Sequence, residues 1–88
     1  MHDTLENAEV RLDPETIAYY LEVPRNQVIL LQTYFELYDG VGTVRTLEGE
    51  RAVVCVLTTP SMAKDCRGVL EAIREQVAWI ACEPPALT

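Results

Sequence analysis

Histidine is almost missing from this chain of 88 residues. Its single copy, His2, stands in the polar stretch that opens the chain, so no imidazole is left for general-base work inside a folded domain. Cysteine is scarce and poorly spaced for chemistry: Cys55, Cys66 and Cys82 are odd in number, far apart and never in a C-x-x-C pair. Neither a disulfide framework nor a zinc site fits that pattern. The three read as small, buried apolar residues in a reducing compartment, with no metal or cofactor implied. Positive charge is short as well, with seven Lys and Arg against fourteen Asp and Glu and a net charge of −7. Nucleic-acid binding takes most of its affinity from Lys and Arg contacts to phosphate, so no nucleic-acid partner is expected. The acidic excess reads as a surface that keeps a small domain dissolved. No apolar run approaches the roughly 20 residues needed to cross a bilayer. Met1-His2-Asp3-Thr4-Leu5-Glu6 carries neither the basic nor the apolar part of a secretion leader. A cytoplasmic protein without membrane contact is the expectation.

What the chain does have is apolar residues, 49% of the total, enough for a packed core rather than disorder. At this length one domain buries only about 60–65% of its unfolded surface, an adequate core with little margin. Residues 1–15 read as a flexible, acidic arm, with a short extra strand at Glu9-Val10-Arg11-Leu12 as the alternative. Asp13-Pro14-Glu15 is turn chemistry, and the domain proper runs over residues 16–83, followed by a frayed tail at 84–88.

Residues 16–23 alternate, with Ile17, Tyr19, Leu21 and Val23 on one face of a strand and Ala18, Tyr20 and Glu22 on the other. Pro24 ends it and suits the first turn of a helix. Val28, Leu31, Phe35 and Tyr38 then recur at helical steps, with Leu30, Tyr34 and Leu37 as a second apolar row and Ile29 off to the other side. Gly40 stands where a helix closes in left-handed conformation. Residues 41–47 are half apolar, an edge strand in which Arg45 reaches water. Glu48-Gly49-Glu50 supplies a turn, and residues 52–57 form a strand apolar on both faces. Thr59 or Ser61 can cap a second helix. Its core row is Met62, Cys66, Val69, Leu70, Ile73 and Val77, and its outer face includes Lys64, Asp65, Arg67 and Glu71. Gly68 sits inside this helix, a position that close packing would justify. Residues 77–82 make a last strand.

The order strand, helix, strand, strand, helix, strand predicts an α+β, ferredoxin-like βαββαβ fold: a four-stranded antiparallel sheet with two helices on one face. The other face is then open. Ala18, Tyr20, Val53, Cys55, Leu57 and Trp79 are its candidate interface residues, and an apolar surface of that kind marks association. A homo-oligomer, a dimer through the open sheet face, is expected; cover by the N-terminal arm is the alternative. Leu30 and Tyr34 on the first helix are further interface candidates, for a protein partner.

Catalysis finds little support. The third strand presents Val53, Cys55 and Leu57 where an RNA-recognition sheet needs basic and aromatic residues. The loop Val23-Pro24-Arg25-Asn26 has neither the paired cysteines of a metallochaperone nor the glycines of an acylphosphatase-like hydrolase, the third and least favoured function. Gly40-Val41-Gly42 follows a helix and opens a strand, the reverse of a dinucleotide fingerprint. Arg25, Asn26 and Gln27 at the start of the first helix are candidate contacts for a small anionic ligand. Asp39, Gly40 and Arg45 are the remaining ligand candidates, Asp39 and Glu36 beside Arg45 making a small polar cluster.

The segment Phe35-Glu36-Leu37-Tyr38-Asp39-Gly40, with Val41-Gly42-Thr43-Val44-Arg45-Thr46-Leu47 and then residues 53–60, resembles a small bacterial family of unknown function. Its members look like a helix ending in Glu-x-Tyr-(Glu/Asp)-Gly, followed by a Val-Arg-Thr-Leu strand. The likeness covers roughly residues 16–83 and implies no activity. At fold level the chain is similar to ACT domains, which bind small effectors at dimer interfaces. Those carry an Asp-Arg-Pro-Gly-like turn after the first strand, and Val23-Pro24-Arg25-Asn26 lacks its glycine. The combined expectation is a non-enzymatic, ACT-like module with a regulatory role, and a protein-interaction module as runner-up.

Overall fold

The computed structural model describes residues 5, 8–38, 40–47 and 52–84. In chain order its elements are β1 (Glu9–Asp13), β2 (Thr16–Glu22), a 3₁₀ turn (Arg25–Gln27), α1 (Val28–Leu37), β3 (Thr43–Thr46), β4 (Val53–Thr58), α2 (Ala63–Ala72) and β5 (Ile80–Ala81). They build an α+β structure with one antiparallel sheet of five strands and two helices. β4 lies between β2 and β3, and the far edge of β2 is divided: β1 pairs with its first half and β5 with Leu21 and Glu22.

The sheet therefore has one strand more than the four expected, and the addition comes from the segment read as an arm. Asp13 turns the chain back on itself, its carboxylate accepting the Glu15 N–H at 2.8 Å while Arg11 donates to the Pro14 carbonyl. That turn lays Glu9 opposite Tyr19 and Val10 opposite Ala18. Leu5, further towards the start of the chain, also reaches the core.

The alternation of β2 and β4 sorts their side chains as expected. Ile17, Tyr19, Leu21, Val54 and Val56 share one cluster with Leu31 and Phe35 of α1 and Cys66, Val69 and Leu70 of α2. Both helices thus cover the same face of the sheet. Each large side chain so buried contributes about 1.5–3 kcal/mol of transfer free energy. The joint between α1 and β3 is built on two glycines. Gly40 has φ +83°, the left-handed conformation that ends a helix. At Gly42 a Cβ would lie 3.0 Å from the Leu57 carbonyl oxygen, so only glycine lets the chain pass this close to β4.

Four local expectations change. Pro24 precedes the first helix in extended conformation (ψ 137°), and a 3₁₀ turn rather than an α-turn follows it. Neither Thr59 nor Ser61 caps α2; the two hydroxyls bond each other at 3.2 Å, and the Met62 N–H is satisfied by the Thr59 carbonyl. Gly68 faces open space instead of a close neighbour. The last strand shrinks to two residues, because Val77 N–H still bonds the Ile73 carbonyl and β1 already holds the neighbouring stretch of β2. The turn expected at residues 48–50 lies outside the described residues. Among those that are described, no helix is long and apolar enough to cross a membrane.

Candidate functional site

The residues expected to hold a ligand are dispersed. Arg25, Asn26 and Gln27 lie in the 3₁₀ turn at the end of the sheet where β2 finishes, and the Gln27 side-chain oxygen is occupied by the Ala78 N–H at 2.8 Å. Gly40 lies at the other end of α1, about 15 Å away along a ten-residue helix. Arg45 sits on β3, opposite Cys55, and Asp39 lies outside the described residues.

Gly40 does line a groove of about 740 Å³, where the end of α1 meets β3 and the end of β4. Phe35, Val41 and Leu57 contribute apolar surface there, and Thr43, Thr59 and Glu36 contribute polar groups. Glu36 is the one ionisable side chain among the described lining residues. Among those residues an anion would meet a carboxylate and no cation, which does not suit the acidic ligand expected from sequence.

Strand register sets out the face of the sheet turned away from the helices as three rows running across it. The first holds Ile80, Glu22, Val53 and Leu47; the second Cys82, Tyr20, Cys55 and Arg45; the third Val10, Ala18, Leu57 and Thr43. Of the interface candidates, Ala18, Val53 and Cys55 are already closed over within a single chain. Tyr20 and Leu57 remain half-exposed, joined by Val10, Leu47 and Cys82, and Ile80 is 58% exposed. Tyr20 and Cys55 are opposite each other across the strand pair; burial above all pushes both groups up from their ordinary values. A thiol held protonated in this way is a poor nucleophile.

Trp79 is not on this face. It is 2% exposed in the helix-side core, its indole N–H donates to the Leu70 carbonyl at 2.8 Å, and the Arg74 guanidinium covers its ring at 3.9 Å. A buried indole needs an acceptor, and the last turns of α2 supply one. Tyr34 is half-buried against the core, whereas Leu30 is exposed. With Leu30 on the outside of α1 stand Ile29 and Leu37, about three-quarters exposed, and Tyr38 beyond them.

One polar cluster was hidden from sequence reading. The Tyr19 hydroxyl donates to a Glu9 carboxylate oxygen at 2.7 Å, and Arg67 of α2 donates to both groups at 3.1 Å. Burial, then the bond to Glu9, pushes Tyr19 up to about 12. The cluster ties β1 to β2 and α2, and its closed hydrogen bonds mark it as structural. Its only sequence signal was a tyrosine in the core row of a strand, which requires a buried partner for its hydroxyl.

Neither a curated protein nor a solved structure matches this chain. A family does: residues 21–77, from the end of β2 to the turns after α2, match the one described as "Domain of unknown function (DUF4911)", and since that is more than half of its length the chain belongs to this family.

Proposed function

We propose that this chain is a non-enzymatic module of ferredoxin-like, ACT-like plan whose role is assembly, two copies pairing across the open face of the sheet. With β1 set aside, the strand order β5-β2-β4-β3 around two helices on one face supports the ferredoxin-like reading. The observation that carries the assembly reading is the composition of the face turned away from the helices. Nine of its twelve positions are apolar, six of them half-exposed or exposed, and its charges, Glu22 and Arg45, cancel. A chain of net charge −7 repels its own copies everywhere except where charge is locally balanced. β1 extends this surface, turning Val10 outward while Glu9 faces the helices.

Effector binding at Arg25, Asn26 and Gln27 draws no comparable support, since Gln27 is engaged and the other candidates are elsewhere. Light scattering on the purified chain at micromolar concentration tests the reading. A mass of at least two copies is expected, falling when Leu57→Glu and Ile80→Glu are combined while circular dichroism stays unchanged. A monomeric mass for the unaltered chain overturns it.

A further inference from the structure

The outer side of α1 is unlike the outer side of a helix facing water. Ile29 and Leu37 are 74% and 73% exposed, Leu30 is 38% exposed, and Thr33 lies on the surface among them. Ile29, Thr33 and Leu37 are four residues apart, so they form one ridge along the helix. Thr33 is small, its hydroxyl is already donating to the Ile29 carbonyl at 2.9 Å, and it therefore asks for no polar partner. Glu36 is the single ionised side chain in the ten residues of α1, and it flanks the ridge.

We propose that this ridge is an interface between copies of the chain, a two-fold contact in which two α1 helices cross antiparallel at Thr33. The argument for a second copy is self-complementarity. The ridge is symmetric about Thr33, with one large aliphatic residue four positions to each side. Reversal of one helix on another sets Ile29 of each copy beside Leu37 of the other, with the two threonines at the crossing, where small residues permit close approach. Under the same operation each Glu36 comes opposite Leu30, so the carboxylates do not face each other. Low local charge also selects α1 over α2, whose outer residues include Lys64, Asp65 and Glu71. The ridge lies on the helix side of the molecule and the sheet's other face lies opposite, so this contact is independent of sheet pairing. Where both operate, assembly passes beyond a dimer, to about 40 kDa for four copies of 9.9 kDa.

The experiment uses the full chain carrying Cys82→Ser, which removes the half-exposed native thiol. Thr33→Cys in this background, treated with oxidised glutathione, is expected to run as a covalent dimer on a non-reducing gel, because helices in contact bring the two Cα atoms within disulfide range. Lys64→Cys, on the exposed side of α2, is the control and is expected to stay monomeric. Without added cysteines, the double variant Ile29→Glu, Leu37→Glu is expected to halve the native mass at an unchanged unfolding midpoint. Cross-linking of Thr33→Cys no greater than that of Lys64→Cys overturns the proposal, as does a wild-type mass for the double variant. A large fall in its midpoint also overturns it, since the ridge would then be covered by its own chain. The sheet-face variants Leu57→Glu and Ile80→Glu separate the two readings: they leave the Thr33→Cys cross-link intact if only the sheet contact is wrong or broken.

Discussion

The two helices have the same length and cover the same sheet, yet they meet water differently. α2 follows the ordinary division: Ala63, Cys66, Val69 and Leu70 are buried, and Lys64, Asp65 and Glu71 are exposed. α1 buries Leu31 and Phe35 and then shows Ile29, Leu30 and Leu37 on its far side. A helix needs one apolar stripe to hold its place in a two-layer fold. The second stripe of α1 is more than that place requires.

The inner sides of the helices should be equivalent, and truncating them is the largest effect. Leu31→Ala in α1 and Leu70→Ala in α2 are both fully buried sites, and each is expected to lower stability by about 3 kcal/mol in urea denaturation. A difference of more than about 1.5 kcal/mol between them would break the symmetry assumed for the core.

Next in size is an outward residue of α2 that ties three elements together. Arg67→Ala is expected to cost about 1–2 kcal/mol, reduced from a buried value because Arg67 and Glu9 are partly exposed. Repeating it in a Glu9→Gln background should give a smaller loss; equal losses would mean that the two side chains act separately.

A pH dependence sharpens the same contrast, because two of the buried titratable groups, Cys66 and Tyr19, adjoin α2. Burial pushes the Cys66 thiol up from 9.0 to about 12, and Tyr19 rises from 10.0 to about 12. Both are neutral when protonated, and the folded state holds the proton more tightly. Their contribution is fully present below about pH 9 and is lost as pH rises from there towards 12. Thermal melts across this range should show the decline, and Tyr19→Phe should remove its upper part.

Two surface changes give the smallest effects. Gly68→Ala in α2 adds a Cβ in open space and is expected to stabilise by about 0.5–1 kcal/mol, raising the melting temperature. Ile29→Gln in α1, measured on dissociated chain, should change stability by less than about 0.5 kcal/mol. A larger loss would show that α1's outer stripe serves the fold after all.

Much of this was legible in the residues. The alternation of Ile17, Tyr19 and Leu21 located β2 and its buried face, and the doubly apolar run at 52–57 located β4 to within one residue at each end. The helical steps around Leu31 and Leu70 located both helices, and the spare apolar row of α1 was visible as well. The candidate site was read less well. Trp79 belongs by alternation to a strand face, but its ring fits the gap at the end of α2, and the chain coils to let it in. Arg67 sits in the same outer row as Lys64, and nothing nearby marks it. Its partners are 48 and 58 residues away.

Local patterning by itself determined β2, β4 and the two helices, the core face of each and the glycine joint at Gly40, because side-chain period and left-handed backbone preference act within a few residues. Only the tertiary structure decided how the edge of β2 is shared between β1 and β5. Two segments from opposite ends of the chain compete there for one row of backbone hydrogen-bond groups, and the outcome depends on what each must bury. β1 gains by closing Glu9 onto Tyr19 and Arg67, while Val77 and Trp79 are drawn into the core and leave β5 two residues to pair.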